Sequence, residues 1–150
     1  MTNLKPGDKA PDFTAKDQDG NIISLSDYKG KKLVLFFYPK ASTPGCTAEA
    51  CNLSDNYSRF QEAGYDILGV SADSEKRQSN FKNKYDFKYP LLADEDKAVI
   101  EAFGIWGPKK FMGKEYDGIH RTTFIIDEKG LIEDVIIKVK TKAHTDQILG

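Results

Sequence analysis

The order of apolar and polar positions predicts a chain of short strands and amphipathic helices. Residues 32–38 are continuously apolar after their first position, which is typical of a strand buried on both faces. Within residues 53–63, apolar side chains recur at spacings of four and three, and this periodicity predicts one face of a helix. The helix is expected to begin within residues 43–46 and to end before Gly64, which suits a C-terminal cap.

The remaining segments continue this series of strands and helices. Asp19-Gly20 and residues 127–130 each separate two β-type segments, and such turns predict hairpins. Residues 104–120 contain five glycines or prolines and are predicted as a loop. The other predicted elements are strands at 13–16, 21–25, 66–71, 89–93, 122–126 and 131–139, and helices at 74–85, 94–103 and 142–150, the last capped by Thr141.

This order predicts an α/β fold in a single domain, residues 1–150. Strands that alternate with helices imply a largely parallel sheet, and the late hairpin adds antiparallel strands. A βαβ unit followed by a hairpin and a helix is the order of the thioredoxin fold. We therefore expect a thioredoxin-like fold, with a central mixed β-sheet flanked by helices and an N-terminal β-hairpin.

Composition narrows the classes of function. The net charge is only −1, which gives no support to a nucleic-acid or membrane-surface protein. Residues 1–10 lack an apolar signal segment, and no run approaches the ~20 apolar residues of a membrane helix. We expect a cytoplasmic protein. In that compartment, two nearby cysteines favour chemistry or metal binding over a structural disulfide.

Cys46 lies where the predicted buried strand passes through a loop into the helix. Helix N-termini carry unpaired N–H groups and a positive partial charge, which favour the thiolate form of a cysteine. Because the thiolate is the nucleophile, this position indicates a reactive residue more than a small buried hydrophobe. Thr43, three residues before, and Cys51, five residues after, strengthen this interpretation.

The spacing of the two cysteines limits how they can react. Five residues of helix separate their Cα atoms by about 8.6 Å. A disulfide tolerates at most ~7 Å between Cα atoms. A bond between Cys46 and Cys51 therefore requires the start of the helix to unwind, which suits a transient catalytic disulfide better than a static one.

Three other kinds of cysteine site are less consistent with the sequence. A thioredoxin-type dithiol would need Cys-x-x-Cys and a proline before the late strand, where this chain has Thr122. A zinc site would recruit His120 and His144, but these are 24 residues apart and form no paired motif. A cysteine hydrolase would need a histidine base, for which only His120 is a candidate. We interpret His120 as an ordinary loop residue and His144 as an exposed residue of the last helix.

Several segments resemble one known family. Residues 39–46, Pro-Lys-Ala-Ser-Thr-Pro-Gly-Cys, match the Pro-x-x-x-Thr-x-x-Cys pattern of peroxiredoxins. The continuation Thr-Ala-Glu-Ala-Cys to Cys51 is similar to the bacterioferritin comigratory protein subfamily, also called Q-type peroxiredoxins. Other matching segments follow in the same order along nearly the whole chain, at 7–13, 69–73, 103–107 and 121–127.

The resemblance implies roles for five residues. Cys46 matches the peroxidatic cysteine, and Cys51 matches the resolving cysteine of members that form a disulfide within one chain. Thr43 matches the hydroxyl that hydrogen-bonds the peroxide, and Pro39 matches the proline that shields the site. Arg121 matches the guanidinium that pairs with the thiolate. Its permanent charge and rigid fork of donors suit that role.

The resemblance also implies the reaction and its partners. A peroxiredoxin reduces hydrogen peroxide and organic hydroperoxides, and an external dithiol such as thioredoxin reduces the resulting disulfide. No cofactor, metal, nucleic acid or membrane is expected, and the protein is expected to be a monomer or a weak homodimer. The alternative is a non-enzymatic redox sensor or holdase that uses the same cysteines.

Overall fold

A computed structural model describes residues 2–150 of the chain. In chain order, the strands are β1 (Thr14–Lys16), β2 (Ile22–Ser24), β3 (Lys32–Phe37), β4 (Tyr65–Ser71), β5 (Leu91–Ala93), β6 (Trp106–Phe111), β7 (Lys114–Ile119), β8 (Thr122–Ile126) and β9 (Ile132–Ile136). The helices are α1 (Pro44–Asp55), α2 (Tyr57–Glu62), α3 (Glu75–Tyr85), α4 (Ala98–Ala102) and α5 (His144–Leu149), with a 3-10 helix at Leu25–Tyr28. None of these helices is long and apolar enough to span a bilayer.

The central sheet has five strands in the order β5-β4-β3-β8-β9. β3, β4 and β5 run parallel, whereas β8 is antiparallel to both β3 and β9. Because β8 runs against β3, its first residue, Thr122, lies opposite Phe37 at the end of β3. The preceding residue, Arg121, therefore lies at the edge of the sheet where the chain leaves β3 for α1.

Strand β3 is buried on both faces, as its continuous apolar pattern predicts. Leu35 and Phe37 pack into the core that includes α4 and residues near the N-terminal hairpin. Phe36 and Tyr38 pack into the core that includes α1, α2 and α3. Successive side chains of a strand point to opposite faces, and so one apolar run contributes to both cores.

The N-terminal hairpin and α3 agree closely with the sequence pattern. β1 and β2 pair antiparallel across the Asp19-Gly20 turn. The turn segment also reaches the sheet, because Asp17 forms an antiparallel bridge with Leu92. Helix α3 begins after Ser74, whose hydroxyl accepts the N–H of the third helical residue at 3.2 Å.

The long helix predicted to end at Ala63 is divided at Asn56. The side-chain amide of Asn56 donates to the carbonyl of Asn52 at 2.8 Å, and Thr145 Oγ1 donates to the same carbonyl at 3.1 Å. The backbone N–H of Asn56 donates instead to the carbonyl of Leu53 at 3.3 Å. Since side chains replace the usual backbone bond at this carbonyl, α1 ends at Asp55 and α2 starts as a separate helix.

The loop predicted at residues 104–120 is wrong for most of its length. β6 and β7 form a two-stranded antiparallel hairpin with a two-residue turn at Met112-Gly113. Both turn residues have positive φ, 51° and 79°, as a two-residue hairpin turn requires. The strands are mostly exposed or half-buried, so that no apolar alternation reveals them, and Pro108 is tolerated because neither strand is central.

Helix α4 is shorter than predicted, beginning at Ala98 and not at Asp94. The Asp94 carboxylate accepts the N–H groups of Val99 and Ile100 at 3.2 and 2.8 Å. Lys97 has a left-handed conformation with φ of 63°. A side chain therefore caps the helix start from four residues upstream, and residues 94–97 form a turn.

The C-terminal elements are also shorter than predicted. β9 ends at Ile136 and not at residue 139. Helix α5 begins at His144 and not at residue 142, and Ala143 takes the N-cap position expected for Thr141. The side-chain amide of Gln147 donates to the carbonyl of Lys138 at 2.8 Å, so residues between β9 and α5 bond to the helix and not to the sheet.

Candidate active site

Cys46 occupies the first turn of α1, as predicted. Thr43 is the N-cap residue and Pro44 the first helical residue, a position where proline loses no backbone hydrogen bond. The Cys46 side chain belongs to the core between the sheet and α1, and its residue is only 1% exposed. The sulfur thus combines burial with the positive end of a helix, where N–H groups lack intrahelical acceptors.

The guanidinium of Arg121 joins Cys46 to a carboxylate. Nη2 donates to Cys46 Sγ at 3.3 Å, and Nη1 donates to Glu49 Oε1 at 2.6 Å. Burial acts to lower the pKa of Arg121, but the charges of Glu49 and Cys46 outweigh it and the pKa is raised. Gly45 leaves room for this arrangement, because a Cβ there would lie 3.3 Å from Nη2.

Glu49 is a site residue that the sequence interpretation left out. It lies three residues after Cys46 on the same face of α1 and is 0% exposed. Burial raises the pKa of Glu49 to about 7, against the opposing effect of Arg121. The i, i+3 spacing from Cys46 was the available signal, but an acidic residue near a helix start is also ordinary dipole complementation.

His144 is fully buried, which corrects the expectation that it is exposed on the last helix. Its Nε2 lies 3.6 Å from Glu49 Oε2 and 2.8 Å from Thr123 Oγ1. Burial lowers the pKa of His144, the Gln147 hydrogen bond opposes this, and the charge of Arg121 lowers it further. Helix α5 thus contributes a titratable side chain to the region behind the reactive cysteine.

Thr43 and Pro39 lie on the loop between β3 and α1. The Thr43 side chain makes no capping hydrogen bond; its hydroxyl donates to the carbonyl of Lys40 at 2.8 Å. Pro39 is half-buried directly after the buried Tyr38. The loop is tied to the sheet, because the N–H of Ala41 donates to the Asp73 carboxylate at 2.7 Å.

Cys51 lies on α1 with Cys46, and both thiols are free. It is half-buried against the same core. Burial raises the pKa of Cys51, and the carboxylate of Asp55 raises it further. The adjacent Asn52 accepts the N–H of Thr145 at 2.8 Å, so that the turn containing Cys51 is fastened to α5.

Two further side chains complete the surroundings. Lys109 on β6 donates to the carbonyl of Ile119 at 2.9 Å. Burial lowers the pKa of Lys109, and the charge of Arg121 lowers it further, whereas the charge of Cys46 raises it. His120 lies between β7 and β8 as predicted, with Nε2 3.0 Å from the carbonyl of Pro108. Within residues 2–150, no three His, Cys, Asp or Glu side chains are grouped to hold a metal ion.

This fold and this cysteine site are those of thiol-dependent peroxidases. The chain belongs to the AhpC/TSA family, whose model matches residues 6–135. Over 150 residues it is 50% identical to peroxiredoxin Bcp of Escherichia coli (strain K12), an alignment that covers 100% of this chain and 96% of that protein.

Solved structures give the same result for the fold. A Xylella fastidiosa PrxQ variant superposes with a TM-score of 0.92 at 30% identity, covering 99% of this chain and 95% of that one. The Xanthomonas campestris bacterioferritin comigratory protein, described for its alkyl peroxide reduction activity, gives 0.87 at 36% identity over 99% and 95% of the two chains. The predicted thioredoxin-like fold, the subfamily and the thiol-dependent peroxidase activity are confirmed.

Proposed function

We propose that the chain reduces hydrogen peroxide and organic hydroperoxides through Cys46, with Cys51 as the resolving thiol. The observation that carries this proposal is the 3.3 Å hydrogen bond from Arg121 Nη2 to Cys46 Sγ in the first turn of α1. A permanent cation against the sulfur favours the thiolate, which is the form that attacks a peroxide. The alkyl peroxide reduction described for the Xanthomonas campestris relative supports organic hydroperoxides as substrates.

In the first step, the Cys46 thiolate attacks the terminal oxygen of the hydroperoxide. A sulfur–oxygen bond forms, the oxygen–oxygen bond breaks, and the sulfur is oxidised to sulfenic acid, while the other oxygen leaves as alkoxide or hydroxide and takes a proton from solvent to become an alcohol or water. Negative charge develops on the leaving oxygen, and Arg121 is the donor placed to stabilise it. The Thr43 hydroxyl already donates a hydrogen bond to the carbonyl of Lys40. Its oxygen is therefore free to accept a hydrogen bond from the hydroperoxide.

In the second step, the Cys51 thiol condenses with the sulfenic acid of Cys46 to give a disulfide and water. The intact helix α1 separates the two Cα atoms by about 8.6 Å, beyond the ~7 Å that a disulfide allows. Residues 43–52 must therefore unwind, and this opening breaks the bonds between Asn52 and Thr145. Pro39, between β3 and the loop, is proposed to shield the sulfur until that opening occurs.

An external dithiol such as thioredoxin then reduces the disulfide by thiol exchange. We assign the protein to the cytoplasm, where such reductants keep thiol pairs reduced. We also propose that it works as a monomer or weak homodimer and that its residues form one peroxiredoxin domain. Both cores share β3, which supports the assignment of a single domain.

The test is a coupled assay of peroxide consumption with thioredoxin, thioredoxin reductase and NADPH. We expect continuous NADPH oxidation that depends on both peroxide and the protein, with hydrogen peroxide and with an organic hydroperoxide. A single oxidation of the two thiols without turnover would contradict the proposal. That result would favour the alternative, a redox sensor or holdase that changes state once and acts through a partner.

A further inference from the structure

Glu49 has one oxygen that the peroxide mechanism does not use. Oε1 binds Arg121, but Oε2 is a buried side-chain atom without a hydrogen-bond partner among the residues that the structure describes. His144 Nε2, also fully buried, lies 3.6 Å away. An ionised buried carboxylate with an unpaired oxygen is costly, so the protonation of this pair has consequences for the site.

The surrounding hydrogen bonds determine the tautomer of His144. Gln147 donates from Nε2 to the carbonyl of Lys138 at 2.8 Å and accepts the N–H of Lys140 on Oε1 at 3.0 Å, which defines the orientation of its amide. Oε1 also faces His144 Nδ1 at 2.8 Å. Because Oε1 is an acceptor, Nδ1 must carry a proton. In the neutral ring, Nε2 is then an acceptor and receives the Thr123 hydroxyl at 2.8 Å.

This tautomer places two acceptors opposite each other. The Nε2 lone pair of neutral His144 accepts the Thr123 hydroxyl, so the ring offers no hydrogen to Glu49 Oε2 at 3.6 Å, and that oxygen stays unpaired unless one proton lies on Oε2 or on Nε2. Burial raises the pKa of Glu49 to about 7 and lowers the pKa of His144, so burial favours the uncharged form of each group.

We propose that His144 is a positioning residue for the peroxide reaction: His144 and Glu49 hold one proton between them, on Oε2 or on Nε2, and the neutral pair keeps the Glu49 carboxyl on Arg121. With that proton the pair is neutral as a whole. The positive charge of Arg121 then remains available to the Cys46 sulfur at 3.3 Å, while Glu49 Oε1 keeps the guanidinium in place. The inference rests on the proposed function only in taking Cys46 as the reacting thiol.

Other charged or titratable groups near this pair come from five parts of the fold. Arg121, before β8, and Cys46, on α1, complete the chain of contacts from His144 to the sulfur. Tyr89, before β5, has its hydroxyl on the carbonyl of Ala50 at 2.7 Å and remains neutral, because burial raises its pKa far above the ordinary value. Lys109 interacts with Arg121 and Cys46 from β6. On α5 itself, Asp146 turns outward to Arg59 at 3.5 Å.

The test is a titration of Glu49 by carbon-13 NMR of side-chain carboxyls in the reduced protein, with two variants of His144. In His144→Gln the amide supplies a permanent N–H donor at the position of Nε2, which stabilises the ionised carboxylate. In His144→Leu no donor is present and the burial remains. We expect the Glu49 ionisation to move to lower pH in the Gln variant and to higher pH in the Leu variant, by about one pH unit each.

The matched control is His120→Gln, which removes the other histidine of the chain and adds no donor near Glu49. We expect it to leave the Glu49 titration unchanged. Nitrogen-15 NMR of the wild-type histidines adds a measurement that needs no variant, and we expect His144 to carry its proton on Nδ1 above the titration. An Nε2–H tautomer, or shifts of equal sign in the Gln and Leu variants, would overturn the shared proton.

The positioning role is read from the pH profile of the peroxide step, measured by quenched thiol loss in a Cys51→Ser background. We expect the inflection of the profile to move in the same two directions as the Glu49 titration, by about one pH unit each. If the Glu49 titration shifts in the two variants but the pH profile of the peroxide step does not, the positioning role of His144 is wrong while the shared proton still holds. If the wild type fails to reduce any peroxide, the proposed function fails while the NMR result stands.

Discussion

Cys46 and Cys51 lie five residues apart on one helix, yet their surroundings differ in charge and packing. Cys46 is 1% exposed and receives a guanidinium N–H at 3.3 Å. Cys51 is half-buried, has no cation among its hydrogen-bond partners in the described structure, and has its pKa raised by burial and then by Asp55. The same residue type thus lies against a guanidinium at one position and, among the described residues, has none beside it at the other.

The difference comes from what each turn of α1 contacts. The first turn meets the start of β8, which supplies Arg121, whereas the second meets α5 through Asn52 and Thr145. In the proposed mechanism, Cys46 reacts first as a thiolate, whereas Cys51 must first become accessible to the sulfenic acid. Different elements packed against one helix therefore give its two cysteines the different surroundings that these two steps need.

The largest expected effect is the loss of turnover in Cys46→Ser. A serine hydroxyl is not appreciably ionised near neutral pH, so peroxide consumption in the coupled assay should fall to the background rate. Cys51→Ser is the matched variant. It should still consume one equivalent of peroxide, stop at sulfenic acid by mass spectrometry, and overoxidise unless an external thiol is added. Full steady-state activity of Cys46→Ser would remove the proposed distinction between the two cysteines.

Next in size is the effect of Arg121→Met, which removes the cation that separates the two environments. We expect the peroxide step to slow by about a hundred-fold, comparable to the loss of one preorganised donor in an oxyanion hole. Arg59→Met serves as the control, because this exposed arginine contacts Asp146 on the far side of α5. If both variants carry out the peroxide step at the same rate, Arg121 only forms a structural ion pair and does not assist the reaction.

Oxidation should remove the difference between the two cysteines, because disulfide formation opens the helix that carries both of them. After one equivalent of peroxide, we expect faster hydrogen exchange at the amides of residues 43–52, because the disulfide cannot form across intact helix. Helix α3 should keep its protection and act as the internal control. If mass spectrometry finds the Cys46–Cys51 bond while these amides stay protected, resolution does not require unwinding.

A smaller effect is expected for Gly45→Ala, because the added methyl group crowds the guanidinium beside Cys46 and leaves the surroundings of Cys51 unchanged. A Cβ at this position would lie 3.3 Å from Arg121 Nη2, so the guanidinium must move by a few tenths of an ångström. We expect the peroxide step to slow several-fold, since small displacements at a reacting centre reduce rate. In an Arg121→Met background the same substitution should add little, and an undiminished effect there would assign it to the helix and not to the guanidinium.

The smallest expected effect is a change in the pH dependence of stability in Glu49→Gln. An unfolded Glu49 titrates near 4.5 and the folded one at about 7, so between these values the native state holds the additional proton and loses stability as pH rises. The neutral amide lacks this loss. Relative to wild type, the variant should therefore become more stable from pH 5 to pH 8, as measured by urea unfolding. His144 acts in the opposite sense through its lowered pKa, but it is present in both proteins.

Local pattern was sufficient for most of the fold and for the position of Cys46 in the first turn of α1. The apolar run of β3, the helix face of α1 and α2, and the start of α1 near Cys46 follow from side-chain periodicity and turn residues, which act over a few positions. The motif at residues 39–46 indicated the chemistry. The β6–β7 hairpin was missed because most of its residues are exposed or half-buried, and periodicity is informative only where one face is buried.

Tertiary structure alone decided how the candidate site is built. Arg121 is 75 positions from Cys46 and meets it because β8 pairs antiparallel with β3. The burial of Glu49 and His144 depends on α5 packing against α1, and the short sequence of the last helix does not indicate which element it packs against. Periodicity along a chain states which face of an element is buried. Which partner covers that face, and so which charges meet at the sulfur, is set by pairing between segments far apart in sequence.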